Sequence, residues 1–260
     1  MAILKPDKTF VLYKGKVTID FYEKKHWYVN RKTGKIINSV TKSTGLLNNT
    51  EVLMAWACKM MSEYLLEIIN RGGDISHLDI AKAKGAHRAK KEKAGAIGTA
   101  VHYWIEQYIK NKLSRSKKKL AMPTDDKVLN GVIAFLDWEN ENKVKYVSSE
   151  RIVYSKENDF VGTLDCEAFV NGKLALVDFK TGNHIGETTS FQVSGYLGAD
   201  EEERKIKYQD RIILHINKDE GTLKAIHLGM ENHKRDYQAF VALNTVTKIL
   251  TMMKKKGGRE

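Results

Sequence analysis

Asp165, Asp178 and Lys180 are the residues of this chain whose types and spacing can do chemistry. They lie in the stretches Gly162-Thr163-Leu164-Asp165 and Val177-Asp178-Phe179-Lys180-Thr181-Gly182. Between the two sits Asn171-Gly172, a strong signal for a two-residue hairpin turn. Pairing the strands outward from that turn sets Val170 against Lys173, Ala168 against Ala175 and Asp165 against Asp178. Side chains alternate along a strand, so Lys180 shares a face with Asp178. Directly opposed like charges destabilise a strand pair, and a divalent cation between the two carboxylates removes that penalty. Hard cations such as Mg2+ take one or two carboxylates, with waters and substrate phosphate completing the shell. A neighbouring lysine positions or deprotonates the attacking water, which makes the chemistry metal-assisted hydrolysis of a phosphodiester. The alternative is an ordinary exposed hairpin with scattered charges.

The elements that must hold this hairpin follow from periodicity. Its other face carries Leu164, Cys166, Ala168 and Val170 on one strand and Ala175, Val177 and Phe179 on the other, an apolar face expected to meet the core. Upstream, residues 10–13 and 17–22, and then 26–30 and 36–40, read as two hairpins. Residues 50–70 read as a helix with Leu53, Trp56, Ala57, Met60, Met61, Tyr64 and Leu65 on a face expected in the core, stopped by Gly72-Gly73. A basic helix over 76–91 and a further helix over 96–110 follow, the latter with Val101, Trp104, Ile105 and Tyr108 as its stripe. Beyond a basic linker closed by Pro123, the pattern predicts a helix over 125–143 and strands over 146–154, 160–170 and 173–180. A helix over 187–199, strands over 212–216 and 223–228 and a long final helix over 231–253 complete it. This order is an α/β arrangement with a mixed central sheet flanked by helices.

A chain of 260 residues with 42% hydrophobic content is one large domain, or a core with an elaborated N-terminal part. We divide it into an N-terminal β-hairpin and helical elaboration over 1–94 and a core over 95–260. No apolar run reaches the length of a membrane span and no signal-peptide core opens the chain, which predicts a cytoplasmic protein. Cys58 and Cys166 are too few for a four-cysteine zinc or iron–sulfur site and read as small core residues. The net charge of +12 points to a polyanionic partner. It is clustered at Lys82, Lys84, Arg88, Lys90, Lys91 and Lys93, again at Lys112, Arg115, Lys117, Lys118 and Lys119, and at the C-terminus with Lys254, Lys255, Lys256 and Arg259. Runs of this kind are also common on plain solvated surfaces.

Four stretches in order resemble the PD-(D/E)xK nuclease superfamily, in particular its RecB-like exonuclease branch. Gly98-Thr99-Ala100-Val101-His102 resembles the helix with a metal-binding histidine, Gly162-Thr163-Leu164-Asp165 the strand with the first acid, Asp178-Phe179-Lys180 the signature, and Gln192-Val193-Ser194-Gly195-Tyr196 the Gln-x-x-x-Tyr helix. The resemblance covers about residues 95–200. It implies a restriction-endonuclease-like core and a Mg2+- or Mn2+-dependent DNA exonuclease of recombination, repair or replication processing, of the kind phages encode and working in the host cytoplasm. An endonuclease of the same superfamily and a catalytically silent DNA-binding subunit are the alternatives. By resemblance Asp165, Asp178, the Phe179 carbonyl and His102 hold the metal, and Lys180 orients or activates the water. Gln192 and Tyr196 position the DNA strand or the surroundings of Lys180, while Arg88, Lys90 and Lys91 clamp phosphates. His102 also reads as a core histidine, and Gln192 with Tyr196 as a helix packing pair. Glu106 and Glu150 read as supporting acids or surface charges, and Glu167 shares the site face by alternation without a role in the pattern. Trp27, Tyr28 and Trp104 are candidates for stacking on single-stranded ends. Leu164 stands where the superfamily's proline would be. The branch's iron–sulfur cluster is excluded by the cysteine count, and no Walker A loop is present, so no nucleotide cofactor and no built-in motor are expected. Any recombination or replication motor would be a separate protein partner.

Overall fold

The computed structural model describes residues 5–115, 119–182 and 184–257; Lys117, Lys118 and Arg259 of the basic runs lie outside the described residues, as do the side chains of Lys255 and Lys256. The strands are β1 (Lys8–Leu12), β2 (Val17–Tyr22), β3 (Trp27–Asn30), β4 (Ile36–Ser39), β5 (Lys145–Ser155), β6 (Phe160–Val170), β7 (Lys173–Lys180), β8 (Asp210–Asn217) and β9 (Thr222–His227). The helices are α1 (Val40–Thr44), α2 (Thr50–Asn70), α3 (His77–Leu113), α4 (Asp126–Glu141), α5 (Thr189–Arg204) and α6 (His233–Gly257). All nine strands join one sheet in the order β1-β2-β3-β4-β6-β7-β8-β9, with β5 paired to β6 off that path. Only β4 with β6 and β7 with β8 run parallel, so the sheet is mixed but mostly antiparallel.

Helices cover both faces of this sheet. On one, Val101, Ile105, Val132 and Phe135 of α3 and α4 pack on Cys166, Ala168, Val177 and Phe179. On the other, Val193, Leu197 and Phe240 of α5 and α6 pack on Phe160, Leu164, Leu176 and Ile213. A third cluster closes β1–β3 over Ile152, Tyr154 and Val161. The hairpin is therefore buried on both faces, which alternation around a single apolar face did not anticipate.

The hairpin register is the one the turn dictates. Asn171 and Gly172 both take left-handed φ, 51° and 84°, as a type I′ turn requires, and Val170 pairs with Lys173, Ala168 with Ala175 and Cys166 with Val177. Leu164 departs from expectation, since it packs into the α5 layer while Cys166 packs into the α3–α4 layer. Strict alternation would put both on one face. The break coincides with irregular backbone on β5, where the register shifts between Tyr146 and Ser148 and Glu150 takes φ 50°. An extra residue bends a strand and re-aims its side chains.

Three further expectations are corrected. The basic helix and its successor are one helix, α3, running without interruption through residues 94 and 95. Ser76 and Asp79 cap its start reciprocally, and the alanines and lysines between residues 81 and 94 favour continuation. The apolar face of α2 lies against α3 rather than in a core: Met60 alone is buried, Trp56, Ala57, Met61, Tyr64 and Leu65 are half-buried, and Leu53 is exposed. A helix resting on one neighbour instead of a sheet cannot cover a whole stripe. For the same reason Cys58 is exposed on α2, while Cys166 is buried as expected. Among the described residues no helix is long and apolar enough to cross a membrane.

Candidate active site

The site forms where β7 leaves β6. Their ladder ends at Cys166 opposite Val177, while β4 pairs with β6 only at Phe160 and Val161. Residues 162–165 of β6 thus face a gap between β4 and β7. The Phe179 amide, just past the end of the ladder, donates instead to Asp165 Oδ2 at 2.8 Å. One side-chain bond thereby holds the fork open at a fixed width and ties the two acidic strands together.

Asp178 is 1% exposed. Its Oδ2 lies 2.5 Å from Lys180 Nζ, and apart from that ammonium neither carboxylate oxygen has a hydrogen-bond partner among the described residues. A buried carboxylate with a single charged partner still carries a desolvation cost. Burial, aided by the charge of Asp165, pushes the Asp178 carboxyl up to about 6 against the pull of Lys180. Burial likewise raises Asp165, opposed by Lys180 and the Phe179 amide. For Lys180 burial works against the charged form, but Asp178 and Asp165 outweigh it and raise its pKa. Lys180 is therefore held as an ammonium, suited to stabilising negative charge rather than to taking a proton.

His102 projects from α3 and meets the Phe179 ring edge-on, with centroids 5.9 Å apart. Burial lowers its pKa, as does the charge of Lys180, so it is held as a neutral imidazole with lone-pair capacity. Among the described residues no three His, Cys, Asp or Glu side chains converge as a closed metal site. Two carboxylates, one of them with an oxygen that has no partner, still fit a hard cation that keeps several waters. Glu150 is raised to about 7, by burial and then by Asp165 and Glu106, which puts these acids in one another's field; Glu106 itself is paired with Lys110. Glu167 is not at the site. It is buried, bound by Arg204 at 2.5 Å and by Ser148 at 3.0 Å.

Tyr196 is buried on α5, where its OH accepts from Gln192 Nε2 at 2.9 Å. It lies over Gly162, where an added Cβ would stand 2.4 Å from the ring. That explains the glycine in Gly162-Thr163-Leu164-Asp165: only a bare backbone lets α5 settle on β6 just before Asp165. Gly162→Ala is expected to lower the thermal midpoint by overpacking, at a cost on the order of 1 kcal/mol, and to reduce activity through the displaced strand. Unchanged melting would show that the ring yields freely.

A cleft of about 950 Å3 opens beside the fork. Lys90 and Lys91 line it together with Trp56, His102, Thr181 and Lys218. Arg88 is exposed on the same helix but does not line it. Lys91 and His102 are eleven residues apart on α3, about 16 Å along the axis. Gly98 permits the close approach of this helix, since a Cβ there would meet Thr181 Oγ1 at 2.5 Å. The loop after β7 is pinned from β8, with Lys218 Nζ donating to Thr181 O at 3.0 Å and His215 Nε2 lying 2.6 Å from Gly182 O. Sequence reasoning missed Lys218. The signal was available only through the parallel pairing of Lys180 with His215, which brings the end of β8 beside the site. Of the stacking candidates, Tyr28 and Trp104 are buried, Trp104 donating to Ala121 O at 2.9 Å. Trp27 alone is exposed, under Lys25.

No family model matches this chain, and no curated protein matches it. A solved structure titled "Crystal structure of SSO0001" is similar over 58% of this chain and 74% of that chain, at 14% identity and a TM-score of 0.30.

Proposed function

We propose that this protein is a Mg2+- or Mn2+-dependent deoxyribonuclease of PD-(D/E)xK type, acting on DNA ends as an exonuclease. The observation that carries the reading is Asp178, a buried carboxylate paired with the Lys180 ammonium at 2.5 Å and set near Asp165 at a fork in the sheet. Asp165 and Asp178 are the side chains that would hold the metal, with the Phe179 carbonyl and His102 as the further candidates. Bound there, such an ion would polarise a phosphoryl oxygen and lower the pKa of a water. The Lys180 ammonium would stabilise charge developing on the phosphate, and the Phe179 amide keeps Asp165 oriented. Gln192 and Tyr196 act from behind the strand, as positioning residues. Lys90 and Lys91 present cations along the cleft that leads to the fork.

The deciding assay incubates the protein and an Asp178→Ala control with Mg2+ and four substrates: linear and circular DNA, each single-stranded and duplex. Degradation of linear substrates alone, lost in the control, is the expected result. Cutting of circles would make it an endonuclease, and binding without any cutting would make it a silent subunit. Neutralising Lys90 and Lys91 to Ala is expected to weaken binding of every DNA sequence alike and to flatten the salt dependence by about 1 to 2 in slope. A loss confined to some sequences, in a filter-binding series at several salt concentrations, would show base readout instead.

A further inference from the structure

A second cationic cavity lies away from the fork, at the far end of the β2–β3 hairpin. Its volume is about 520 Å3, and Lys16, Arg31, Lys32 and Lys156 line it together with Thr18 and Tyr154. Among the described residues that line it there is no carboxylate. The cavity is built rather than incidental. Arg31 is anchored from beneath, its Nε donating to Asp20 Oδ2 at 2.9 Å and its amide to Thr18 O at 3.0 Å. Lys156 stands 3.7 Å over the Tyr13 ring, and Tyr13 OH lies 2.7 Å from Glu202 Oε1 and 2.8 Å from Tyr154 O, sharing its one proton between these two acceptors. The turn that carries Lys32 is closed by Asn30 Oδ1, which accepts from the Lys32 amide at 3.0 Å. Asp20 is nearly buried and offsets one of the four positive charges; Lys16, Lys32 and Lys156 are exposed.

The place of the cavity relative to the fork fits an extended polyanion. Tyr154 and Glu150 are four residues apart on β5, about 13 Å, and Glu150 stands at the level of Asp165, between the pairs Ser149–Cys166 and Arg151–Leu164. That span equals the rise of about four nucleotides in a duplex strand. Lys90 and Lys91 lie on α3, which packs over the other side of the fork. We infer that the cavity of Lys16, Arg31, Lys32 and Lys156 binds backbone phosphates of a DNA strand about four nucleotides from the bond at the fork. The inference rests on the nuclease reading for the position of that bond, but not for the binding itself. Asp20 takes up Arg31, and Glu202 and Asp159 hold the Lys156 amide and the Tyr154 hydroxyl, so the ammonium groups of Lys16, Lys32 and Lys156 are the donors left to recognise phosphate in any sequence.

Binding is tested without cleavage, in EDTA, on the full chain. A Lys16→Glu, Lys32→Glu variant spares the Arg31–Asp20 contact, of which only Asp20 is buried, and the Lys156–Tyr13 stack, and its fold is checked by its melting curve. Wild type and variant are titrated with single-stranded 4-mer and 20-mer DNA at several salt concentrations. The expected result is a loss of about tenfold or more in 20-mer affinity, a salt slope lower by about 1.4, and no change for the 4-mer held at the fork. An unchanged 20-mer affinity and slope would overturn the inference, as would a wild type that binds no DNA. Inorganic triphosphate is titrated in parallel. If it bound more tightly than the 20-mer and lost that binding in the variant, the cavity would belong to a free polyphosphate, and the inference would fall. A wild type that binds the 20-mer in this way yet cuts no DNA with Mg2+ would sink the nuclease reading and leave the cavity's assignment standing.

Discussion

Lys180→Ala is expected to lower the rate of DNA cleavage on the order of 10^3-fold while DNA binding in metal-free buffer changes less than twofold. The reason lies in the charge state. Asp178 and Asp165 hold Lys180 as an ammonium, and its Nζ is 2.5 Å from Asp178 Oδ2, with the side chain 27% exposed toward the fork. An ammonium at that position is a fixed positive charge beside the phosphate that Asp165 and Asp178 would receive through a metal. On this reading it would contribute little to holding a strand whose other phosphates would meet Lys90 and Lys91. Lys180 could also act indirectly, by neutralising Asp178, and the two roles separate under metal titration. Removing the ammonium frees Asp178 Oδ2, so Mn2+ affinity should stay equal or improve. If saturating Mn2+ restored wild-type cleavage to Lys180→Ala, the lysine would be a partner of the carboxylate alone. Persistent loss at saturation is what a group acting on the reaction predicts.

The hairpin that carries these residues was legible because its determinants are local. Asn171-Gly172 fixes the turn and the turn fixes the register from Val170–Lys173 to Cys166–Val177, but the expected Asp165–Asp178 pair is not formed: the ladder stops one pair before it, and Asp165 meets β7 through the Phe179 amide instead. Most helices around it were legible by their stripes, but α3 was read as two helices, over 76–91 and 96–110, where the chain runs on as one. What local pattern does not carry is the splitting of β6 from β7. It depends on β4 arriving in parallel at Phe160 and Val161 from more than a hundred residues upstream, and on β5 distorting at Glu150. Those long-range contacts turn Leu164 to the α5 layer and leave residues 162–165 unpaired with β7. The same limit explains α2. Its stripe of Trp56, Met60 and Tyr64 has the period of a core helix, and period alone does not tell whether one helix or a whole sheet covers it. Lys218 was hidden for a related reason, since nothing near it in sequence announces that β8 lies alongside β7.

The cost of the site should be measurable in the protein without metal, and it gives the second large effect. Asp178 has its carboxyl raised to about 6, mainly by burial, against an ordinary value of 3.8. A carboxyl raised in the folded state binds its proton more tightly there than in the unfolded chain, so stability falls as pH rises through the window between the two values. Asp165 is raised as well and adds slope in the same direction. Lys180 keeps its proton throughout this window and contributes none. In EDTA, the part of wild-type stability that depends on Asp178 should therefore decline from about pH 4 to pH 7. His233, lowered to about 4, and His102, also lowered, slope the other way, and Glu150, raised to about 7, adds to the decline, so the Asp178 part is read as the difference between wild type and Asp178→Asn. Asp178→Asn removes the buried charge and keeps the shape, so at pH 7.5 it should be more stable than wild type by about 2–3 kcal/mol, with a flatter pH profile. Mn2+ should close the gap by binding the folded wild type alone, and should leave Asp178→Asn almost unmoved. Denaturant melts at pH 5 and pH 7.5, with and without Mn2+, measure all of these differences. If Asp178→Asn were instead less stable at pH 7.5 in EDTA, the Lys180–Asp178 contact would be a net structural support, and the carboxylate would not be waiting for a cation.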